Sequence, residues 1–169
     1  MTQLSGDEKR CVVCQPVAEP TSDLYGRHRP GNNLFGDSLV CVDLKTGQRK
    51  WHFQIVHHPI WDYDLSSAPI LLDINVNGKP IKAVAQVSKQ GFTYVFDRKT
   101  GTPVWPIEAK PVPQSTVPGA RSSATQPIPT NPPAYERQAL TQHALLDFPP
   151  HRTQAAPACF TTFATGPIY

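Results

Sequence analysis

A ten-residue motif occurs twice in this sequence, and this internal repeat constrains the fold more than any other feature. The first copy reads VDLKTGQRKW from Val42 to Trp51, and the second reads FDRKTGTPVW from Phe96 to Trp105, 54 residues later. Each copy predicts a strand, then a turn in which Asp bonds to backbone amides and Gly adopts a positive φ, then a second strand ending in Trp. Repetition at this spacing is typical of β-propeller blades, whose common periods are ~40–50 residues.

Further strands are predicted around the two turns. Apolar stretches at 38–42 and 92–96 precede the turns. Two more candidates, 68–75 and 81–87, lie between the copies and are joined by an Asn-Gly dipeptide, which is a strong hairpin signal. Residues 1–105 therefore predict an all-β fold, namely a fragment of a β-propeller with about two blades of four-stranded antiparallel sheet.

The number of blades limits what this chain can form alone. A propeller closes when each blade packs on two neighbours, and ~4–8 blades are the norm. Because the repeat accounts for about two blades, we expect a slice of a longer protein, or a chain that another chain completes. Trp51 and Trp105 occupy equivalent repeat positions, so we expect both to dock blades in equivalent environments.

Proline distinguishes residues 106–169 from the rest of the chain. The chain has 169 residues and 19 prolines, 13 of which lie beyond residue 100. Since proline has no backbone N–H and is confined to sheet edges or bulges, we expect a largely irregular crossing loop and tail in which the prolines break any ladder. The only regular structure we expect there is a short helix within 135–147 and a strand or loop over 159–169.

Charge and hydropathy exclude several classes of function. The formal net charge of +3 is small and the Lys and Arg residues are scattered, so the sequence does not form the basic stripe that nucleic-acid binding requires. No apolar run approaches the ~18–20 residues that span a bilayer. The first ten residues are polar and lack the apolar centre of a secretory signal, so we expect no export signal in this chain.

Four cysteines are present, at Cys11, Cys14, Cys41 and Cys159. They are too few to predict a disulfide scaffold in a chain of this length. The CVVC spacing of Cys11 and Cys14 could suit redox or metal chemistry, but its β-branched centre favours a strand, in which the two thiols would not converge. We therefore expect a buried pair without a redox role. A zinc site would need His57 and His58, and a second ligand pair at finger or ribbon spacing is missing.

Four segments around the repeat point to one family. PTSDLYG at 20–26 and HRPGNNLF at 28–35 lie upstream, HFQIVHHPIWDYD at 52–64 follows the first repeat, and VSKQGF at 87–92 leads into the second. In this order they resemble the pyrroloquinoline quinone (PQQ) dependent dehydrogenases, especially the glucose dehydrogenase-like branch. The resemblance covers roughly residues 11–135 and implies oxidation of an alcohol or sugar hydroxyl by hydride transfer to PQQ.

The resemblance also implies roles for three residues. Asp62 matches the general base that takes the hydroxyl proton, and Lys89 matches the basic residue that hydrogen-bonds the quinone oxygens. Glu19 stands where the family has an amide ligand of a calcium ion, and a carboxylate suits that hard cation as well. An ionised base beside a cation that stabilises developing negative charge is sound chemistry for this step.

Purely structural roles remain open as alternatives for the same residues. Asp62 could cap a turn, Lys89 could be a surface lysine at a strand end, and His57 and His58 are expected to be turn or packing residues. The family's pair of adjacent cysteines is absent from this chain.

The resemblance further implies a small alcohol or sugar as substrate, a quinone or cytochrome as electron acceptor, and a periplasmic location. As a partial propeller, the isolated chain is expected to be inactive. A different class of function is a non-enzymatic β-propeller that acts as a binding scaffold, which binding of quinone would distinguish. A third is an interaction segment built on the PTNP sequence at 129–132, for which a proline-rich linker is the simpler explanation.

Overall fold

A computed structural model describes residues 3–141 and 165–169 of the chain. The described residues form nine strands, and their one helical element is a three-residue 3-10 turn, Glu8–Arg10. The strands are β1 (Ser5–Asp7), β2 (Val12–Val17), β3 (Ser38–Asp43), β4 (Arg49–Gln54), β5 (Ile70–Val76), β6 (Lys79–Val87), β7 (Thr93–Asp97), β8 (Ile107–Pro111) and β9 (Thr125–Pro129). The predicted all-β class is confirmed.

The strands form three antiparallel sheets. The first sheet has the order β1-β2-β3-β4 and is a four-stranded blade, while the second has the order β5-β6-β7. The strands predicted at 38–42, 68–75, 81–87 and 92–96 are all present, and each begins and ends within two residues of its predicted bounds. Both sheets run in sequence order, as hairpin-connected blades do.

The two repeat turns are built alike. Asp43 Oδ1 accepts hydrogen bonds from the amides two and three residues later, both at 3.0 Å, and Asp97 Oδ1 accepts the equivalent pair, both at 2.9 Å. Gly47 and Gly101 have φ values of +70° and +73°, and each donates its amide to the carbonyl of the repeat aspartate. The predicted turn chemistry is confirmed in both copies.

After the second turn the repeat is not completed. Arg49 pairs with Val42 at the start of β4, and Pro103 makes the equivalent bridge to Phe96, but the chain then bends instead of forming a fourth strand. Pro103 and Pro106 both lack the N–H that a ladder needs. The expectation of a second strand ending in Trp105 is therefore wrong. In the first copy the strand also runs past Trp51, to Gln54.

Trp51 docks the first sheet onto the second. Its indole N–H donates to the Arg98 carbonyl at 3.1 Å, and its ring lies 5.7 Å from the ring of Phe96. The ring also covers Gly101, where a Cβ atom would lie 2.6 Å from it. Trp105 instead packs against a small cluster that contains Ala83. The expected docking role is thus observed for Trp51, but the two tryptophans do not share an environment.

The core lies where the two sheets meet. Its buried side chains come from β2, β3 and β4 on one side and from β6 and β7 on the other, with further residues from the loops: Val12, Cys14, Leu39, Cys41, Trp51, Ile55, Val56, Leu65, Val84, Phe92, Tyr94 and Phe96. A buried ion pair also joins the sheets, because Arg98 Nη1 lies 2.8 Å from Asp7 Oδ2 and both side chains are less than a tenth exposed. The two sheets are therefore fixed to each other by apolar and ionic contacts.

The proline-rich region contains an antiparallel pair, β8–β9, so the expectation that its prolines break any ladder is wrong. Amide-to-carbonyl bonds from Thr130 to Pro106 and from Val112 to Ala124 fix which cross-strand pairs are hydrogen-bonded. Pro111, Pro127 and Pro129 all fall in the alternate pairs, whose N–H groups point away from the partner strand. The missing donors therefore cost this two-stranded ladder nothing.

The cysteines differ from expectation as well. Cys14 of β2 is directly opposite Cys41 of β3, and the two form a disulfide. Cys11 is a free, half-buried thiol in the turn before β2, so the expected buried pair of Cys11 and Cys14 is wrong. Cys159 lies outside the described residues.

Two of the expectations concern the C-terminal end of the chain. Residues 135–141 contain no helix, and the rest of the expected helix at 135–147 lies outside the described residues. Over 165–169 the chain makes one isolated bridge, between Pro167 and Ala139. Within the described parts of the chain, no helix has the length and apolarity needed to cross a membrane.

Candidate functional site

The candidate residues meet at one end of the two sheets. Because neighbouring strands are antiparallel, the ends of β2, β4 and β6 lie beside the starts of β3 and β7. Glu19 follows β2 and Asp37 precedes β3, while Asp62 and Asp64 lie in the loop after β4 and Lys89 follows β6. Loops at the ends of a rigid sheet are where binding and catalytic groups are commonly placed.

Asp62 and Lys89 are in direct contact. Lys89 Nζ lies 3.2 Å from Asp62 Oδ1, and it donates a hydrogen bond of 2.9 Å to the Asp62 backbone carbonyl. Asp64 Oδ2 lies 3.9 Å from the same ammonium. Asp62 has a positive φ of +55°, and its side chain is about half exposed. The structure thus brings together a carboxylate and an ammonium that are 27 residues apart, and within the described residues the Asp62 carboxylate caps no turn.

Glu19 lies behind this pair. Its backbone N–H donates to Asp64 Oδ1 at 2.7 Å, and its carboxylate is 3.9 Å from Arg29 Nη2. The side chain is only 2% exposed, and neither oxygen accepts a hydrogen bond of ordinary geometry from the described residues. Burial raises the pKa of the Glu19 carboxyl to about 7, although the charge of Arg29 and the Asp62 amide oppose this rise.

Asp37 is a fourth acidic residue of this site, and sequence reasoning missed it. It is fully buried, and neither carboxylate oxygen has a hydrogen-bond partner among the described residues. Burial, helped by the negative charges of Glu19 and Asp64 and opposed by the positive charge of Lys89, raises its pKa to about 8. Its backbone N–H donates to the Ala18 carbonyl at 3.2 Å, which places Asp37 across from the residue before Glu19.

These acids have the donor chemistry that calcium requires. Ca²⁺ binds oxygen ligands, and the orphaned carboxylate oxygens of Glu19 and Asp37 are buried groups that a hard cation would satisfy. As the side chains are placed here, no three His, Cys, Asp or Glu residues within 3–141 and 165–169 stand close enough together to hold a metal ion. The residues therefore fit the cation by chemistry, without a preformed cage.

An aromatic cluster forms a second side of the site. Trp61 and Tyr63 are stacked with ring centroids 6.0 Å apart, and Tyr169 meets both edge-on, at 5.1 and 5.6 Å. The amide of Gln90, next to Lys89 in the chain, donates to the Tyr169 hydroxyl at 2.8 Å. Burial raises the pKa of the Tyr169 phenol, so its hydroxyl stays neutral.

A cavity of about 410 Å³ borders the aromatic cluster. Its wall includes the rings of Trp61 and Tyr169 and three polar side chains, Gln114, Ser115 and Thr116. An aromatic face with a few hydroxyl and amide groups is typical of a small-molecule site.

His58 has the packing role that was expected of it, and His57 is held through its backbone. His58 Nδ1 lies 2.6 Å from the Gly31 carbonyl, and the ring packs tightly against Gly26. The His57 backbone is held by the buried Gln126 side chain, which accepts from its N–H at 2.8 Å and donates to its carbonyl at 2.7 Å. Both histidines therefore shape the loop that leads to Asp62.

Comparison with known proteins gives a consistent result. A family model described as "PQQ: Glucose/ethanol/alcohol dehydrogenase, beta-propeller domain" matches residues 2–169. The glycerol dehydrogenase large subunit of Gluconobacter oxydans (strain 621H) is 38% identical over 134 residues, which are 78% of this chain and 18% of that protein. Quinoprotein glucose dehydrogenase of Escherichia coli (strain K12) is 37% identical over 123 residues, 72% of this chain and 16% of its own length.

Solved structures agree with these sequence matches. The quinohemoprotein alcohol dehydrogenase from Comamonas testosteroni superposes with a TM-score of 0.59 and 27% identity, covering 76% of this chain and 19% of that one. A europium-containing methanol dehydrogenase gives a TM-score of 0.60 over 76% of this chain and 22% of its own, and at 23% identity it supports the fold alone. The chain spans less than a fifth of the length of the curated relatives described above.

Proposed function

Because the chain belongs to the family of PQQ-dependent glucose, ethanol and alcohol dehydrogenase β-propeller domains, we propose that it supplies part of the active site of a quinoprotein dehydrogenase that oxidises an alcohol or sugar hydroxyl. The observation that carries this proposal is the contact between Asp62 and Lys89 at the shared end of the two sheets. The stability of the fold does not account for this contact, because a half-exposed ion pair contributes only about 0–1 kcal/mol to the free energy of unfolding.

Asp62 acts as the general base. Its carboxylate is about half exposed and Oδ1 lies 3.2 Å from the Lys89 ammonium, so a substrate hydroxyl can reach Oδ1 and transfer its proton there. The positive φ and the bonds from Lys89 to its carbonyl and side chain orient this carboxylate. A base that is fixed before substrate arrives loses less freedom in the transition state.

Lys89 binds and orients the cofactor. Its ammonium uses one donor on the Asp62 carbonyl and lies near two carboxylates, and it is about one third exposed, so it can also donate to the oxygens of an anionic quinone. When bound, PQQ supplies the hydride acceptor and calcium supplies Lewis-acid polarisation of the quinone. Glu19 would hold the calcium ion through its buried carboxylate, whose oxygens have no other hydrogen-bond partner among the described residues.

Two features support the rest of the proposal. The cavity beside Trp61 offers an aromatic wall with hydroxyl and amide groups, which suits an alcohol or sugar. The Cys14–Cys41 disulfide suits an oxidising compartment such as the periplasm. Electrons would leave through a quinone or cytochrome acceptor. Because the chain covers 18% of its glycerol dehydrogenase relative, we expect the isolated chain to show no turnover.

The proposal can be tested by grafting. The 134-residue matched segment of this chain replaces its counterpart in the Gluconobacter oxydans glycerol dehydrogenase large subunit. The chimera should reduce an artificial dye only when PQQ and calcium are supplied, while the isolated 169-residue chain should not.

A lysine variant of the same chimera tests the cofactor contact. Lys89→Ala should weaken PQQ binding by roughly 10–100-fold, because it removes a charge-assisted hydrogen bond. The matched control Lys79→Ala removes an exposed lysine at the start of β6 and should change nothing. If the Lys89→Ala chimera bound PQQ as tightly as the control, Lys89 would be a surface lysine and the proposed cofactor site would be wrong.

A further inference from the structure

We propose that Asp37, to which neither the repeat nor the family resemblance assigns a role, is an additional acidic ligand of the cation site, facing Glu19 across the ends of β2 and β3. This inference rests on the proposed function in one respect, namely that Glu19 holds a hard cation. It adds a residue from this chain's own structure to that site.

The first argument is the burial of Asp37. Its relative exposure is 0%, and both carboxylate oxygens lack hydrogen-bond partners among the described residues. A buried carboxylate without a partner is strongly unfavourable, and native proteins resolve the cost by protonation, by ion pairing or by coordinating a metal. Asp37 therefore needs either a proton or a cation.

The second argument is that the site's own cations are already engaged. Arg29 Nη2 donates to the carbonyls of Ser22 and Pro59, at 3.0 and 2.8 Å, and comes only to 3.9 Å from Glu19. Lys89 is bound to the Asp62 carbonyl and carboxylate. Neither is within ion-pair distance of Asp37 in the described structure.

The third argument is the balance of charge. When ionised, the four acids of the site, Glu19, Asp37, Asp62 and Asp64, outnumber Lys89 and Arg29 by two negative charges. A divalent cation with oxygen ligands matches this surplus. In Glu19 and Asp37 both carboxylate oxygens lack a hydrogen-bond partner among the described residues, so these two acids are the ones expected to bind the ion.

The position of Asp37 is consistent with this role. The Asp37 amide is bound to the carbonyl of Ala18, and the Asp37 carbonyl accepts from Ile55 at 2.8 Å. Its backbone is therefore held between β2 and the segment after β4, at the level where Glu19 leaves β2. The two acids lie just beyond the paired ends of β2 and β3 and can serve one ion.

Terbium luminescence tests the proposal on the 169-residue chain itself. Tb³⁺ occupies Ca²⁺ sites, and the nearby rings of Trp61 and Tyr63 should sensitise its emission. We expect saturable emission that Ca²⁺ displaces. Asp37→Asn keeps the shape but removes the charge, and should weaken Tb³⁺ binding by at least roughly 10–100-fold. Glu108→Gln removes the same charge from an exposed side chain of β8 and should leave binding unchanged.

The outcomes separate this inference from the proposed function. If Asp37→Asn binds Tb³⁺ as tightly as the unmodified chain while Glu19→Gln does not, Asp37 holds a proton instead and the inference fails, but the proposed calcium site stands. If the unmodified chain gives no saturable emission, both the Glu19 assignment and the inference fail.

A measurement without any variant covers the case in which Asp37→Asn does not fold. Infrared difference spectra of the unmodified chain should show that Ca²⁺ converts buried carboxyl groups to coordinated carboxylates. A protonated-carboxyl band that persists at saturating Ca²⁺ would overturn the role of Asp37.

Discussion

Substitution of Gly101 by alanine is expected to destabilise the chain in two ways: through the left-handed backbone of the repeat turn and through the contact that docks the two sheets. Gly101 has a φ of +73°, and an added Cβ would lie 2.6–2.8 Å from three ring atoms of Trp51. The left-handed backbone costs alanine about 1–2 kcal/mol. Overpacking against a buried ring adds about 1–3 kcal/mol, so Gly101→Ala should destabilise the chain by about 2–5 kcal/mol.

The internal repeat supplies the control. Gly47 has the same place in the first turn and a φ of +70°, but a Cβ there would meet nothing within 4 Å. Gly47→Ala should therefore cost only the backbone part, about 1–2 kcal/mol. Urea unfolding followed by far-ultraviolet circular dichroism measures both variants. Equal losses in the two variants would refute the docking of Trp51 on the second turn.

Three further outcomes are expected in the same unfolding assay. Reduction of the Cys14–Cys41 disulfide, which spans 27 residues, should lower stability by about 3–4 kcal/mol through the entropy of the unfolded chain, and no change on reduction would contradict the bond. Arg98→Met removes one of the two arginines that pair with the buried Asp7 carboxylate, the other being Arg10 at 2.9 Å, and should cost about 1.5–3 kcal/mol, whereas the exposed Arg121→Met should cost less than about 0.5. Hydrogen bonds from turn amides and Lys50 lower the pKa of Asp43 from 3.8 to about 2, so its contribution is complete above pH 4 and is lost as the pH falls towards 2; an Asp43→Asn chain with the same acid sensitivity would contradict this.

The local part of the fold could be predicted from the sequence. The turns at Asp43 and Asp97 depend on bonds between residues at most five positions apart, so the motif alone specifies them. The same holds for the β5–β6 hairpin, which its Asn-Gly dipeptide identifies. Such features need no knowledge of which distant strands pair.

Other features depend on register, which the sequence does not state. The disulfide requires Cys14 and Cys41 to be opposite each other, and β8–β9 tolerates its prolines only because Pro127 and Pro129 fall in pairs without hydrogen bonds. A shift of one residue would reverse both outcomes.

The candidate site could be predicted only in part, because its assembly also depends on contacts between distant parts of the chain. The family resemblance identified Asp62 and Lys89, and the structure brings them into contact, although their roles remain predictions. Asp37 belongs to no motif. The signal that could have found it is its position immediately before the predicted strand at 38–42, at the end of the sheet where Glu19 also lies. Its burial is a tertiary property and could not be read from the sequence.

The most direct test of the central claim is the kcat of an Asp62→Asn variant in the active chimera. Asparagine keeps the shape and an oxygen that can bind a cation, but it cannot take a proton. If Asp62 is the general base, PQQ should still bind while kcat falls by roughly 10²–10⁴-fold. An unchanged kcat would show that Asp62 has only a structural role, and the mechanism proposed for this site would be wrong.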